Sequence, residues 1–274
     1  MMLLGGAQHP MMGYVRLASL LPLLAACGRL GFSDVERTDA SELPLDARCD
    51  PGTTADTVAL YSFESALTAD TTAAHDATNV DAVTSTDGTC GSAAARFDGV
   101  SHLVVPDSPA FDLAEGSVEL FARVPNPATG EAQGLISRDA LDTDFDGHIS
   151  IAVAGTGEAF VRLQRVGGVT AFRCSAAPIA ADRWTHIGAS FGPQGLRLWV
   201  DGVEAVGTSV SFEGAVRDCT APHAFGIDGN DNALVVGALN HRALNNAPMP
   251  SITYPLTGAI DQVRIRSTWR DFGI

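Results

Sequence analysis

The chain has 274 residues and a formal net charge of −15, with 32 acidic and 17 basic side chains. This length accommodates one large all-β domain or two smaller domains. The negative charge repels phosphate backbones, and no basic stripe is interleaved with aromatic residues, so nucleic acid is excluded as a partner. The same charge disfavours electrostatic docking on anionic lipid.

An apolar run, LASLLPLLAACG, lies near the N-terminus. It is too short to span a bilayer and ends in small residues, as a secretory signal does. Residues 24–27 (LAAC) resemble the bacterial lipobox, in which the cysteine is lipidated and becomes the new N-terminus. The resemblance implies that residues 1–26 are a lipoprotein signal peptide and that acyl chains on Cys27 hold the protein on a membrane. An ordinary secretory signal is the alternative.

Residues 27–56 are polar and acidic and lack periodic apolar positions, which predicts a lipidated tether. Its carboxylates lack the fixed geometry that acid–base chemistry needs. Gly28 stands where well-studied relatives that stay at the inner membrane carry aspartate. We therefore expect a location in the bacterial cell envelope, at the outer membrane or the cell surface.

Four further cysteines are an even number in a chain with an export signal, which indicates two disulfides. The sequence does not fix the pairing. Joining Cys49 to Cys90 and Cys174 to Cys219 would fasten the start of the domain and a pair of later strands. A zinc site is disfavoured because no C-x-x-C or H-x-x-x-H spacing is present.

Beyond residue 56 the apolar segments are short, often alternate with polar residues, and are separated by Gly, Asn, Asp and Pro, which predicts strands and no helix. Asp201-Gly202 between two alternating runs predicts a tight hairpin. So many strands must form a sandwich or a barrel. The predicted strands are residues 57–63, 102–106, 117–124, 134–138, 148–153, 159–166, 183–191, 196–200, 233–239 and 258–266.

The segment RWTHIGASFGPQGLRLWVDGVEA (183–205) resembles the central hairpin of laminin G-like domains in the concanavalin A-like lectin and glucanase superfamily. VALYSFES, AARFDGVSHLVVPDSP and LTGAIDQVRIR resemble the opening, following and closing strands of the same domains. The resemblance implies an all-β jelly roll of two stacked antiparallel sheets over residues 57–268, with residues 269–274 as a tail. Arg123 departs from it, since many relatives carry tryptophan there.

Two calcium sites are candidates. Asp142, Asp144 and Asp146 before a glycine fit the first half of an EF-hand loop, but Val153 stands where the bidentate glutamate belongs, so a solvated turn is favoured. The resemblance implies a second, structural site where the first and last strands meet, with Glu64 and Asp261 as ligands. There the alternative is that Asp261 only accepts hydrogen bonds from a neighbouring loop.

Catalytic motifs are weak. GASFG matches G-x-S-x-G around Ser190, but the residue lies in a predicted strand that leads into another strand, so the nucleophile elbow is missing. Glu119 is the lone acid of its strand, and no paired carboxylates of a glycosidase are present. His186 and Trp184 are expected to be structural. The protein is therefore expected not to be an enzyme.

We therefore expect a surface lipoprotein that displays a binding module for a glycan or a protein. Long polar loops on a rigid scaffold commonly carry recognition, and residues 138–148, 225–232 and 239–250 qualify. Trp199 either stacks on a sugar or packs against the second sheet or the chain end. A polysaccharide-active enzyme and a structural envelope protein are the alternatives. The candidate ligand-binding residues of the last loop are His241, Arg242, Asn245 and Asn246.

Overall fold

A computed structural model describes residues 49, 52–81, 83–139, 147–240 and 251–273. They belong to one compact unit, Glu42–Ile274. Apart from two 3-10 turns, Pro109–Phe111 and Val166–Gly168, the regular elements are strands. The strands are β1 (Thr57–Tyr61), β2 (Thr78–Val80), β3 (Thr84–Thr86), β4 (Ala94–Asp98), β5 (His102–Val105), β6 (Gly116–Arg123), β7 (Gln133–Arg138), β8 (His148–Val153), β9 (Glu158–Gln164), β10 (Thr170–Pro178), β11 (Trp184–Phe191), β12 (Arg197–Val200), β13 (Val203–Glu204), β14 (Ser209–Phe212), β15 (Ala215–Asp218), β16 (Leu234–Val236) and β17 (Thr257–Arg266).

The strands form two antiparallel sheets and a separate hairpin. Sheet I has the order β13-β12-β11-β6-β17-β4-β3, and β1 also pairs with β17. Sheet II has the order β10-β9-β8-β7-β16-β5-β2, and β14 pairs with β15 alone. In each sheet, runs of consecutive strands are joined to strands that are distant in sequence, such as β6 to β17 and β7 to β16, as in a jelly roll. The predicted fold class is confirmed.

The core lies between the two sheets and follows the alternation of each strand. In β6, Val118, Leu120 and Ala122 point inward, whereas Glu119 and Arg123 lie on the outer face of sheet I. In β8 the inward residues are Ile149, Ile151 and Val153, so His148 and Ser150 lie on the outer face of sheet II. Both sheets therefore present polar side chains outward from an apolar interior.

Turn geometry explains where strands end. Asp201 and Gly202 take φ of 51° and 78°, and this confirms the predicted hairpin between β12 and β13. The strand predicted over residues 233–239 is shorter, because Gly237 takes a φ of 87° and a Cβ there would lie 2.2 Å from the ring of Phe97. The chain must leave the strand at that point.

A second, smaller core covers part of the outer face of sheet II. The β14–β15 hairpin folds onto it, with Phe212 5.0 Å from Phe160 and 6.4 Å from Phe172 between ring centroids. The Cys174–Cys219 disulfide fastens β10 to the segment after β15, and Cys49–Cys90 is the other disulfide. The pairing named from the sequence is thus the pairing present.

The chain end, residues 267–273, covers part of the outer face of sheet I. Phe272 lies against Gly188, and the rings of Trp269 and Phe272 lie 5.7 and 5.4 Å from that of Trp199. Asp56, just before β1, accepts hydrogen bonds from the side chains of Thr268 and Arg270. The start and the end of the domain are thereby joined. Among the described residues, no helix is long and apolar enough to cross a bilayer.

Candidate functional site

Several residues named from the sequence lie outside the described residues, although the positions that flank them are described. Gly147 directly follows the three aspartates, and Asn240 directly precedes His241. The residues outside the described ranges are Cys27, Asp142, Asp144, Asp146, His241, Arg242, Asn245 and Asn246.

A buried arginine organises one end of sheet II, where three predicted recognition loops begin or end. The Arg138 guanidinium is 1% exposed and donates to the carbonyl oxygens of Phe111 and Ile227 at 3.1 and 3.2 Å. It also donates to the carbonyls of Asn230 and Asn232. The carboxylates of Asp107 and Asp112 lie 2.8 and 3.0 Å from Nη2. One cation thus holds loop 225–232 against sheet II.

Asparagine side chains join the other two loops to the same place. The Asn230 amide donates to the carbonyls of Arg138 at 2.9 Å and Gly147 at 3.2 Å. Asn240 Oδ1 accepts from the backbone N–H of Asp139 at 2.9 Å. We call this region, defined by Arg138, Asp139, Gly147, Asn230 and Asn240, the loop base.

A charged cluster lies beside the loop base on the outer face of sheet II. Asp139 is fully buried, with Oδ1 3.0 Å from His148 Nδ1 and Oδ2 paired with Arg162. Burial alone would raise the pKa of Asp139, but Arg162 and the hydrogen bonds from His148 and Ser150 lower it below its ordinary value. The carboxylate therefore stays charged and fixes the strand ends from which two loops leave.

The predicted calcium ligands Glu64 and Asp261 lie under one loop. Asp261 Oδ2 accepts the backbone N–H groups of Thr89 and Cys90, each at 2.8 Å. Glu64 accepts those of Ser92 and Ala93 at 3.1 and 3.0 Å. The loop-contact alternative named for Asp261 is therefore present.

One oxygen of this pair is left without a partner. Asp261 is fully buried, and its Oδ1 accepts no hydrogen bond from the described residues. Burial raises the pKa of Asp261, and the nearby Glu64 charge adds to the effect. A buried carboxylate oxygen with a second carboxylate close by suits a hard cation. Within the described ranges no three metal-binding side chains of His, Cys, Asp or Glu come together, so further ligands would be backbone or water oxygens.

The candidate catalytic residues on sheet I are engaged in structural contacts. Ser190 is fully buried in β11, donates to the Arg270 carbonyl at 2.6 Å and accepts from the Arg270 N–H. Glu119 Oε2 lies 3.2 Å from His186 Nε2, and Oε1 accepts from Arg266. Burial would raise the pKa of Glu119, but His186 and Arg266 lower it, so the residue is not a proton donor near neutral pH.

Trp199, named as a sugar platform or a packing residue, is 1% exposed beneath the chain end. Its indole packs against Trp269 and Phe272, which leaves no face for a sugar. Sequence reasoning placed Arg138, Asp139 and His148 in a candidate recognition loop but gave them no role of their own, and it missed Arg162. One feature of the sequence could have identified these residues. They are polar residues at the ends, or at outward-facing positions, of strands that are otherwise largely apolar and buried.

Comparisons with known proteins agree with this architecture. A family model, Laminin_G_3, described as the concanavalin A-like lectin/glucanases superfamily, matches residues 97–270. The sequence matches no curated protein.

Two solved structures illustrate the likeness. One is domain 4 of AbnA, a GH43 extracellular arabinanase from Geobacillus stearothermophilus, in complex with arabinotriose: the TM-score is 0.54 at 19% identity, over 78% of this chain and 93% of that one. The other is botulinum neurotoxin type C, whose cell entry depends on two ganglioside molecules: the TM-score is 0.53 at 10% identity, over 79% of this chain and 49% of that one. These likenesses show the fold. With its two-sheet core and the family match over residues 97–270, the chain belongs to the laminin G-like domains of the concanavalin A-like lectin/glucanases superfamily.

Proposed function

We propose that the protein is a surface-anchored bacterial lipoprotein whose laminin G-like domain binds glycan without catalysis. The observation that carries this proposal is the loop base, where one buried arginine and two asparagines hold three polar loops at one end of a rigid sandwich. Loops fixed in this way are suited to recognition. Lipidation of Cys27 and an outer-membrane or cell-surface location belong to the same proposal.

The solved structures support the glycan as ligand. AbnA domain 4 is in complex with arabinotriose, and the cell entry of botulinum neurotoxin type C depends on two ganglioside molecules, so both solved structures come from proteins that interact with sugars. Fold alone does not determine function. The likeness therefore only supports the proposal, and the glycan specificity is assigned to the loops. His241, Arg242, Asn245 and Asn246 are the proposed ligand-contacting residues.

The non-catalytic part of the proposal rests on the acids of sheet I. A glycosidase needs one carboxyl group that can donate a proton and a second that can attack or activate water. Glu119 is held ionised by His186 and Arg266, and Ser190 is buried under the chain end. Neither residue can reach a substrate.

A glycan array probed with residues 28–274 tests this function. We expect binding to a defined set of glycans, weakened in Asn245→Ala, because the loop amide supplies hydrogen bonds to sugar hydroxyls. Val216→Ala is the control, since this side chain is 78% exposed on the β14–β15 hairpin. Absence of binding to every glycan, with and without calcium, would refute the proposal, and release of reducing ends would favour an enzyme.

We further propose that Ca²⁺ binds at Glu64 and Asp261 as a structural ion. At a concentration one hundred times Kd, Ca²⁺ should stabilise the fold by about 2.7 kcal/mol, which for a domain of this size is about 5–10 °C in Tm. The rise should shrink in acid: the pKa of Asp261 is raised, so as pH falls through it the carboxyl takes up a proton and gives up the cation.

Asp261→Asn separates this site from nonspecific calcium effects. Differential scanning calorimetry should show no rise in Tm with Ca²⁺ in this variant. In chelator at pH 8 its Tm should equal or exceed that of the wild type, because the buried charge next to Glu64 is removed. Exposed Glu115→Gln is the matched control and should respond like the wild type. Equal responses of Asp261→Asn and wild type would contradict the proposed site.

A further inference from the structure

A row of side chains crosses the outer face of sheet I at the end that the chain terminus leaves uncovered. Arg96 in β4 pairs in register with Ala259 in β17, and Ala259 pairs with Arg123 in β6. Arg123 in turn pairs with Trp184 in β11. Since residues opposite one another share a face, the two arginines flank a small residue, with about 10 Å between their Cα atoms at the usual strand spacing.

Neither arginine has an acidic partner in the described part of the chain. Among the described residues, no carboxylate lies within 4.0 Å of the guanidinium of Arg96 or Arg123, although the chain carries 32 acidic and 17 basic side chains. Arg123 instead lies over the ring of Trp184, 5.0 Å from its centroid. Such a cation–π contact orders the arginine and leaves its N–H donors free. Elsewhere carboxylates pair with Arg138, Arg162, Arg197 and Arg270.

A groove of about 410 Å³ lies between the two arginines. Gly258 and Ala259 are among its lining residues. A Cβ on Gly258 would lie 2.5 Å from the Arg123 carbonyl oxygen, so no larger residue fits at this position. The volume falls within the range of about 300–1,000 Å³ that is usual for small-molecule sites. We call this surface the arginine groove.

We propose that the arginine groove binds a carboxylate-bearing sugar, such as a uronic acid residue of an acidic polysaccharide. The planar guanidinium matches a carboxylate in a bidentate geometry, and two guanidinium groups that flank the groove can contact one carboxylate from both sides. In a chain of net charge −15, two arginines without acidic partners mark a place where an anion is expected from outside.

The acids that also line the groove favour a sugar acid over a simple anion. Asp98 accepts the backbone N–H groups of Val100 and Ser101, which lower its pKa and keep it charged. Asp182 lines the same groove in an exposed turn. These carboxylates repel a bare phosphate or sulfate, whereas a sugar offers hydroxyl donors to them and a carboxylate to the arginines. The inferred ligand thus satisfies both kinds of lining group.

This inference builds on the proposed glycan-binding function but uses a surface other than the loop base. The test is isothermal titration calorimetry of the full-length protein with trigalacturonate and with a hyaluronan tetrasaccharide, which carry galacturonate and glucuronate. We expect at least one to bind at low ionic strength and to lose binding when its carboxyl groups are methyl-esterified. Arg96→Gln and Arg123→Gln should each raise Kd about tenfold or more, as expected for a lost hydrogen bond to a charged group.

Arg165→Gln is the matched control, because Arg165 also stacks on an aromatic ring, 5.1 Å from the centroid of Phe225, but lies outside the groove. Its Kd should equal that of the wild type. The proposal is overturned if neither acidic oligosaccharide binds, if the methyl esters bind equally well, if Arg165→Gln has the same effect, or if inorganic phosphate binds as tightly. If the protein still binds neutral glycans on the array in any of these cases, the proposed glycan-binding function is unaffected.

Discussion

Arg138→Gln should lower the free energy of unfolding by about 3–5 kcal/mol, the range for removing one member of a buried charged network. Arg138 is 1% exposed, and its guanidinium satisfies the carbonyl oxygens of four residues of the 3-10 turn and loop 225–232. Glutamine is too short to reach them and offers fewer donors. Buried carbonyls without donors then oppose folding.

Urea denaturation followed by tryptophan fluorescence measures this effect. Arg197→Gln is the matched control, since its pair with Glu204 is 3.6 Å long and both side chains are nearly half exposed. That variant should change stability by less than about 0.5 kcal/mol. A loss below about 1 kcal/mol in Arg138→Gln would mean that the loop base is not held as described, and the proposed recognition surface would lose its support.

Removal of the Cys174–Cys219 disulfide should cost about 2–4 kcal/mol. The bond closes a stretch of 45 residues, so its loss returns considerable entropy to the unfolded chain. It also fastens the β14–β15 hairpin, which buries Phe212 against Phe160 and Phe172. We expect Cys174→Ala/Cys219→Ala to expose this small core locally before the two-sheet core unfolds.

The matched control is Cys49→Ala/Cys90→Ala, whose bond spans a similar 41 residues. Its total loss of stability should be similar, but only the Cys174→Ala/Cys219→Ala protein should be cut by protease between residues 209 and 218 under native conditions. Equal resistance of the two variants to the protease would show that the aromatic contacts hold the hairpin without the disulfide.

Much of the fold was predictable because alternation is a local property. β8 occupies residues 148–153 as predicted, since Ile149, Ile151 and Val153 face the main core at every second position. β14 and β15 were missed because residues 209–218 carry few apolar side chains, and Val210 and Phe212 find their partners on the outer face of sheet II. The second core forms between residues that are far apart in sequence, so the hydrophobic pattern of a short segment does not predict it.

The site was less predictable for a related reason. Glu64 and Asp261 were identified by resemblance, and they do lie under one loop. Arg138 ends an apolar strand and would ordinarily be solvated. Its carbonyl partners come from residues 111, 227, 230 and 232, so distant segments create its burial. Trp199 likewise had two possible environments, and the chain end decided between them.

The Cys49–Cys90 disulfide also determines how the domain bears mechanical load. If the chain before Cys49 is anchored and a ligand pulls on the domain, tension passes through the sulfur bridge into Cys90 and bypasses the intervening backbone. β1, β2 and β3 all lie within that bypassed stretch. β1, which among the described strands pairs with β17 alone, is therefore not pulled away from its N-terminal end. Under shear the oxidised protein should resist forces that would unzip the reduced form strand by strand.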